Sequence, residues 1–111
     1  MKPARTVSVS IARPPSEVYA FVSDEANLSR WAAGLDRSRP VAFVPRNPHG
    51  VVDHRVTLED ATVVYVPMRV VENGEGSEVL FTLFGAPDDD VAAVLRDLDS
   101  LKRLLEERRD L

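Results

Sequence analysis

Residues Ser8 to Leu35 read SVSIARPPSEVYAFVSDEANLSRWAAGL, a strand joined to two short amphipathic helices with no spare residue. Val7, Val9 and Ile11 alternate with Ser8 and Ser10, the period of a half-buried strand running from Thr6 to Ile11. Pro14 and Pro15 end it, because neither can donate to a ladder and both suit the first turn of a helix. Val18, Tyr19, Phe21 and Val22 then recur at helical spacing, which predicts a first helix over about Pro15 to Ser23. Asp24 is placed to cap a second, in which Leu28, Trp31, Ala32 and Leu35 form the apolar stripe and Gly34 supplies the stop.

After Pro40 the period changes to that of strands: Val41 to Val44, Val51 to Leu58, Thr62 to Val71 and Glu78 to Phe84. Pro45, Asn47, Pro48 and Gly50, then Glu59 to Ala61, then Asn73, Gly74 and Gly76 mark the turns of an antiparallel meander. Cross-strand neighbours must share a face, and two registers satisfy that condition. In one, Val52, His54, Val56 and Leu58 oppose Met68, Val66, Val64 and Thr62; in the other, Val70, Met68 and Val66 oppose Val79, Phe81 and Leu83. One continuous concave face results. The reverse face carries Asp53, Arg55, Tyr65, Arg69, Leu80 and Phe84, a mixed set open to partial cover, in which Asp53, Arg55 and Arg69 are read as solvated charges with no chemistry assigned.

The segment Asp88 to Arg109 repeats Val91, Val94, Leu95, Leu98, Leu101, Leu104 and Leu105 with helical spacing. Asp88, Asp89 and Asp90 lie at its positive dipole end, and Lys102, Arg103, Arg108 and Arg109 toward the negative one. Such a helix is long enough to lie along the sheet and close the core.

At 111 residues the chain is expected to be one domain, with little surplus volume for a ligand cavity. It has no cysteine, which excludes disulfides and thiolate catalysis, and the cytoplasm is the expected compartment. No apolar run approaches the ~20 residues of a membrane span. The net charge is -4 with scattered basic residues, so nucleic acid is not an expected partner.

The opening run, together with PRNPHGVVDHRVTL (Pro45 to Leu58), VPMRVVENGEGSEVLFTLF (Val66 to Phe84) and DLDSLKRLLE (Asp97 to Glu106), resembles the polyketide cyclase/dehydrase branch of the START-like, Bet v 1-like (SRPBCC) superfamily. The resemblance implies an α+β helix-grip fold that holds apolar small molecules between a curved antiparallel sheet and a long C-terminal helix; only some members are enzymes. The chain departs from the pattern between Gly34 and Val41, where it carries only LDRSRP in place of a further strand hairpin. A shortened sheet is therefore expected, with a reduced cavity and an open edge through which two copies could pair as a homodimer.

Four residues form the candidate ligand site: Trp31, His54, Met68 and Phe81. Strand parity puts His54, Met68 and Phe81 on the concave face, and Trp31 belongs to the helix pair beside it. Each has a plainer reading as core, and His54 in particular as a buried histidine bonded to the backbone. His54 is also the candidate acid/base. Asp53 cannot join it in one cavity, because adjacent strand residues point to opposite faces. His49 and His54 share no carboxylate at ligand spacing, so no metal is expected; Ser8, Ser10 and Ser16 have no identifiable base, and no cofactor is implied. Three functions are consistent with this set: a small apolar-ligand binding module, a self-associating structural domain without a pocket, and a cyclase or dehydratase using His54 as general acid/base.

Overall fold

The alternating opening segment is realised as strand β1 (Ala4–Ile11), and the two prolines start helix α1 (Pro15–Val22) with Pro15 in its first turn. This computed structural model describes residues 1–32 and 39–107. Asp24 caps as expected, its carboxylate accepting from the Ala26 N–H at 3.0 Å. The segment it caps is a single 3-10 turn (Glu25–Asn27) followed by the short helix α2 (Leu28–Trp31) rather than one longer helix. Gly34 and Leu35 of the predicted helix, and Arg108 and Arg109 of the last one, lie outside the described residues.

The remaining strands are β2 (Val41–Phe43), β3 (His54–Thr57), β4 (Val63–Val66), β5 (Met68–Asn73) and β6 (Gly76–Phe84). They form two antiparallel three-stranded sheets, ordered β1-β6-β5 and β2-β3-β4. Both expected registers occur: His54 pairs with Val66 and Val56 with Val64, while Met68 pairs with Phe81 and Val70 with Val79. The difference from the sequence reading is Pro67. It has no N–H to give to a ladder, so the run expected as one strand from Thr62 to Val71 is divided into β4 and β5.

The halves remain joined by backbone bonds beside the break. Val52 N–H donates to Met68 O at 2.8 Å, Val70 N–H to Gly50 O at 2.9 Å, and Thr82 N–H to Pro67 O at 3.0 Å. Gly50 makes the crossing feasible. Its φ is 72°, and a Cβ there would lie 2.2 Å from Val70 O, so any side chain would force the 45–50 loop off the sheet.

Helix α3 (Asp88–Glu106) closes the concave side. Its 19 residues span about 28 Å, close to the length of β1, along which it runs. Arg5 meets Asp88 at 2.6 Å at the start of the pair, and Lys102 Nζ donates to Ser10 O at 2.7 Å near its end. Arg13 finishes the helix by donating from Nε to Leu105 O at 2.9 Å and from Nη2 to Glu106 O at 3.2 Å, carbonyls that have no partner within the helix. Val91, Leu98, Leu101 and Leu105 are buried, and Leu98, Leu101 and Leu105 join Val18, Val22, Met68 and Val79 in one core. Each fully buried leucine contributes roughly 1.5–3 kcal/mol by leaving water.

Leu101→Ala is expected to destabilise the fold by about 3 kcal/mol, whereas Leu95→Ala, on the outward side of the same helix, should change stability by less than about 0.5 kcal/mol. Urea unfolding of the two variants checks this, and equal effects would contradict the placement of the helix.

Candidate functional site

The break at Pro67 organises the polar part of the interior. In the β3–β4 register, extended toward β5, Val52 lies opposite Met68 and two reciprocal backbone bonds are due. One forms, from Val52 N–H to Met68 O. In place of the other, two side chains take its ends: Met68 N–H donates to Asp53 Oδ1 at 2.9 Å, and Val52 O lies 3.1 Å from His54 Nδ1. Adjacent residues on opposite faces of one strand thus replace a single ladder bond.

Asp53 is 3% exposed, which corrects its reading as a solvated charge; Arg69, which pairs with it, stays exposed as expected. The parity of Asp53 is as expected, but Tyr65 and Arg69 reach over it. Tyr65 Oη donates at 2.5 Å, and Arg69 donates from Nε and Nη2 at 3.0 Å each. Burial by itself raises the carboxyl pKa; the bonds from Arg69, Tyr65 and the Met68 N–H, with the charge of Arg69, outweigh it and hold the pKa at about 2. Arg55 remains exposed and lies over the Tyr65 ring at 5.1 Å.

On the inner face His54 is 2% exposed, edge-on to Phe43 at 5.3 Å and to Phe81 at 5.8 Å. A carbonyl only accepts, so Nδ1 carries the proton and Nε2 is left as a buried lone pair with no donor among the described residues. Burial lowers the pKa, opposed by the Val52 carbonyl and the Asp53 charge, and the ring is neutral.

Neither His54 nor Asp53 lines a described cavity. A cavity of about 140 Å³ sits between α2, β6 and α3. Trp31, Ala32, Phe81, Leu83, Ala93 and Val94 supply its apolar lining, and Arg39, Asp90 and Asp97 its charged groups. Of the four expected ligand residues, Trp31 and Phe81 come together in this wall. His54 reaches it only through the Phe81 ring, and Met68, 0% exposed, is the cross-strand partner of Phe81 within the packed core. The charged members had no periodic or motif signal in the sequence. A wider, open groove of about 610 Å³ lies between α1 and the 45–50 loop. Tyr19 gathers two of its polar groups: Asn47 N–H donates to Tyr19 Oη at 2.8 Å, and Arg46 lies 5.7 Å over the Tyr19 ring.

No protein-family model and no curated protein matches the chain by sequence. Solved structures do match its fold. CalU16 from Micromonospora echinospora superposes with a TM-score of 0.72 at 15% identity, over 96% of this chain and 76% of that one. DynU16, from the dynemicin biosynthetic locus, gives 0.71 at 19% identity over 94% of this chain, which spans only 47% of DynU16. An AHSA1-like protein from Rhizobium etli gives 0.69 at 18% identity, over 97% and 84%. The likeness is one of fold, and the α+β helix-grip architecture implied by the sequence resemblance is the one observed.

Asp53 binds its proton more weakly folded than unfolded, so its stabilisation is present above pH 4 and is lost as the pH falls toward 2. Asp53→Asn is expected to cost about 2 kcal/mol at pH 7, with the gap to the wild type narrowing toward pH 2 in denaturant titrations. The His54 pKa is also lowered on folding, so stability is complete above about pH 6.5 and declines below it as the unfolded chain takes up a proton. His54→Leu should flatten the fall in urea midpoint between pH 7 and pH 5, and an unchanged slope would contradict the buried neutral imidazole.

Proposed function

We propose that the protein is a binding module for compact, largely apolar small molecules, held between β6, α2 and α3. The observation that carries this reading is the cavity walled by Trp31, Phe81 and Val94, which the side chains of the surrounding core leave unfilled. Its size sets the ligand class. About 140 Å³ is far below the roughly 300 Å³ or more of sites for drug-sized molecules, while an apolar cavity of roughly 150 Å³ holds a benzene-sized guest. A single ring or a short branched chain fits this limit.

The position also supports the reading, since the ligand would lie between the sheet and the long helix, where helix-grip proteins have room for one. Binding is favoured over acid/base catalysis for a specific reason. A general acid must come within hydrogen-bond reach of its substrate, and His54 lies outside the cavity lining with Nδ1 committed to Val52 O and Nε2 sealed in the core.

Trp31 is the single tryptophan of the chain and lines the cavity, so its emission reports directly on occupancy. Toluene is expected to shift Trp31 fluorescence saturably, and a two-ring analogue such as 1-methylnaphthalene should not. Ala93→Leu, which places extra carbons in the cavity, should abolish the toluene response while retaining a cooperative melt. An unsaturable response in the wild type, or an unchanged one in Ala93→Leu, would contradict the site.

A further inference from the structure

Two residues of the cavity lining carry a buried N–H that has no acceptor among the described residues: Trp31 at Nε1 and Arg39 at Nε. Trp31 is 3% exposed, so its indole N–H has exchanged water for nothing. An unmade hydrogen bond of this kind is costly, and native interiors retain few of them. Two in the wall of one small cavity, neither with an acceptor among the described residues, offer a bound molecule two donors.

The carboxylates in the same wall do not fill that role. No ion pair links Arg39 to Asp90 or Asp97 among the described residues. Asp97 has an interaction of its own, and Asp90 is exposed in the first turn of α3, where the helix N-terminus favours its charge. Among the described residues, Arg39 is therefore a guanidinium in the cavity wall with no carboxylate in ion-pair reach.

We infer that the cavity takes a compact monocarboxylate, a one-ring aromatic acid or an apolar acid of similar size. The inference rests on the cavity being a ligand site. The apolar body lies against Phe81, Leu83 and Val94, and the carboxylate oxygens accept from Arg39 and Trp31. A planar guanidinium suits this partner because its N–H groups match the spacing of a carboxylate, and such charge-assisted bonds are about twice as strong as neutral ones. The volume restricts the body to about one ring.

Calorimetric titration of the full chain with benzoate, benzyl alcohol and benzylamine tests the inference. Benzoate is expected to bind about tenfold more tightly than benzyl alcohol, with benzylamine weakest. Arg39→Gln should erase the advantage of benzoate over benzyl alcohol, and a saturable toluene shift of Trp31 fluorescence in the variant shows that it keeps its cavity. Arg39→Lys, which retains the charge without the fork, should fall between the two. Equal affinities for benzoate and benzyl alcohol, a preference for benzylamine, or a benzoate advantage that survives Arg39→Gln would overturn the carboxylate while leaving the apolar-ligand reading in place. Failure of all three compounds to bind would overturn the ligand site itself, and the carboxylate with it.

Discussion

Beside Pro67 the sheet is held by side chains where the register would place a ladder bond between Met68 N–H and Val52 O. Asp53 takes the orphaned Met68 N–H and His54 takes the Val52 carbonyl, so one strand segment repairs the gap from both faces. The arrangement explains two buried polar residues that would otherwise be expensive. A carboxylate out of water needs several donors, and Asp53 has Tyr65, Arg69 and the Met68 N–H. A buried imidazole needs at least one partner, and His54 finds it two residues back along its own strand. The strand-breaking residue and its repair belong together: the proline divides β4 from β5, while the repair keeps the two sheets in a common register.

The rest of the interior is built on that register. Inner positions of β3, β5 and β6 share one core with α3, which lies along β1 with its apolar stripe turned toward them. Both ends of the helix are tied to the β1 region, through Arg5 to Asp88 at one end and through Arg13 and Lys102 at the other. The core beneath is filled by Met68, Leu98, Leu101 and Leu105. His54 and Met68 are buried in the core, while Trp31 and Phe81, toward α2, line a cavity.

Much of this was legible in the residues. Strand parity predicts both hairpin registers, the inward set Val56, Val66, Met68, Val79 and Phe81, and the separation of Asp53 from His54. Periodicity and end charges predict α3. What parity does not carry is depth and position along the strand. Asp53 lies on the reverse face as expected, yet Tyr65 and Arg69 shield it, and the clue was the proline opposite it in the register. Likewise, parity names which residues face inward but not where their summed volumes fall short, so the site expected around His54 and Met68 is packed while its neighbours Trp31 and Phe81 line open space. Arg39 follows a segment with no helical or strand period, and nothing in the sequence pattern joins it to Asp90 and Asp97.

The central claim is that this core is filled at His54 and hollow at Trp31. Diffraction from crystals pressurised with xenon tests it without reference to any natural ligand, because xenon enters apolar cavities of this size by packing alone. A single ordered xenon between Trp31, Phe81 and Val94 is the predicted result. Xenon bound beside His54 and Met68, or a crystal that takes up none in its interior, would contradict the account.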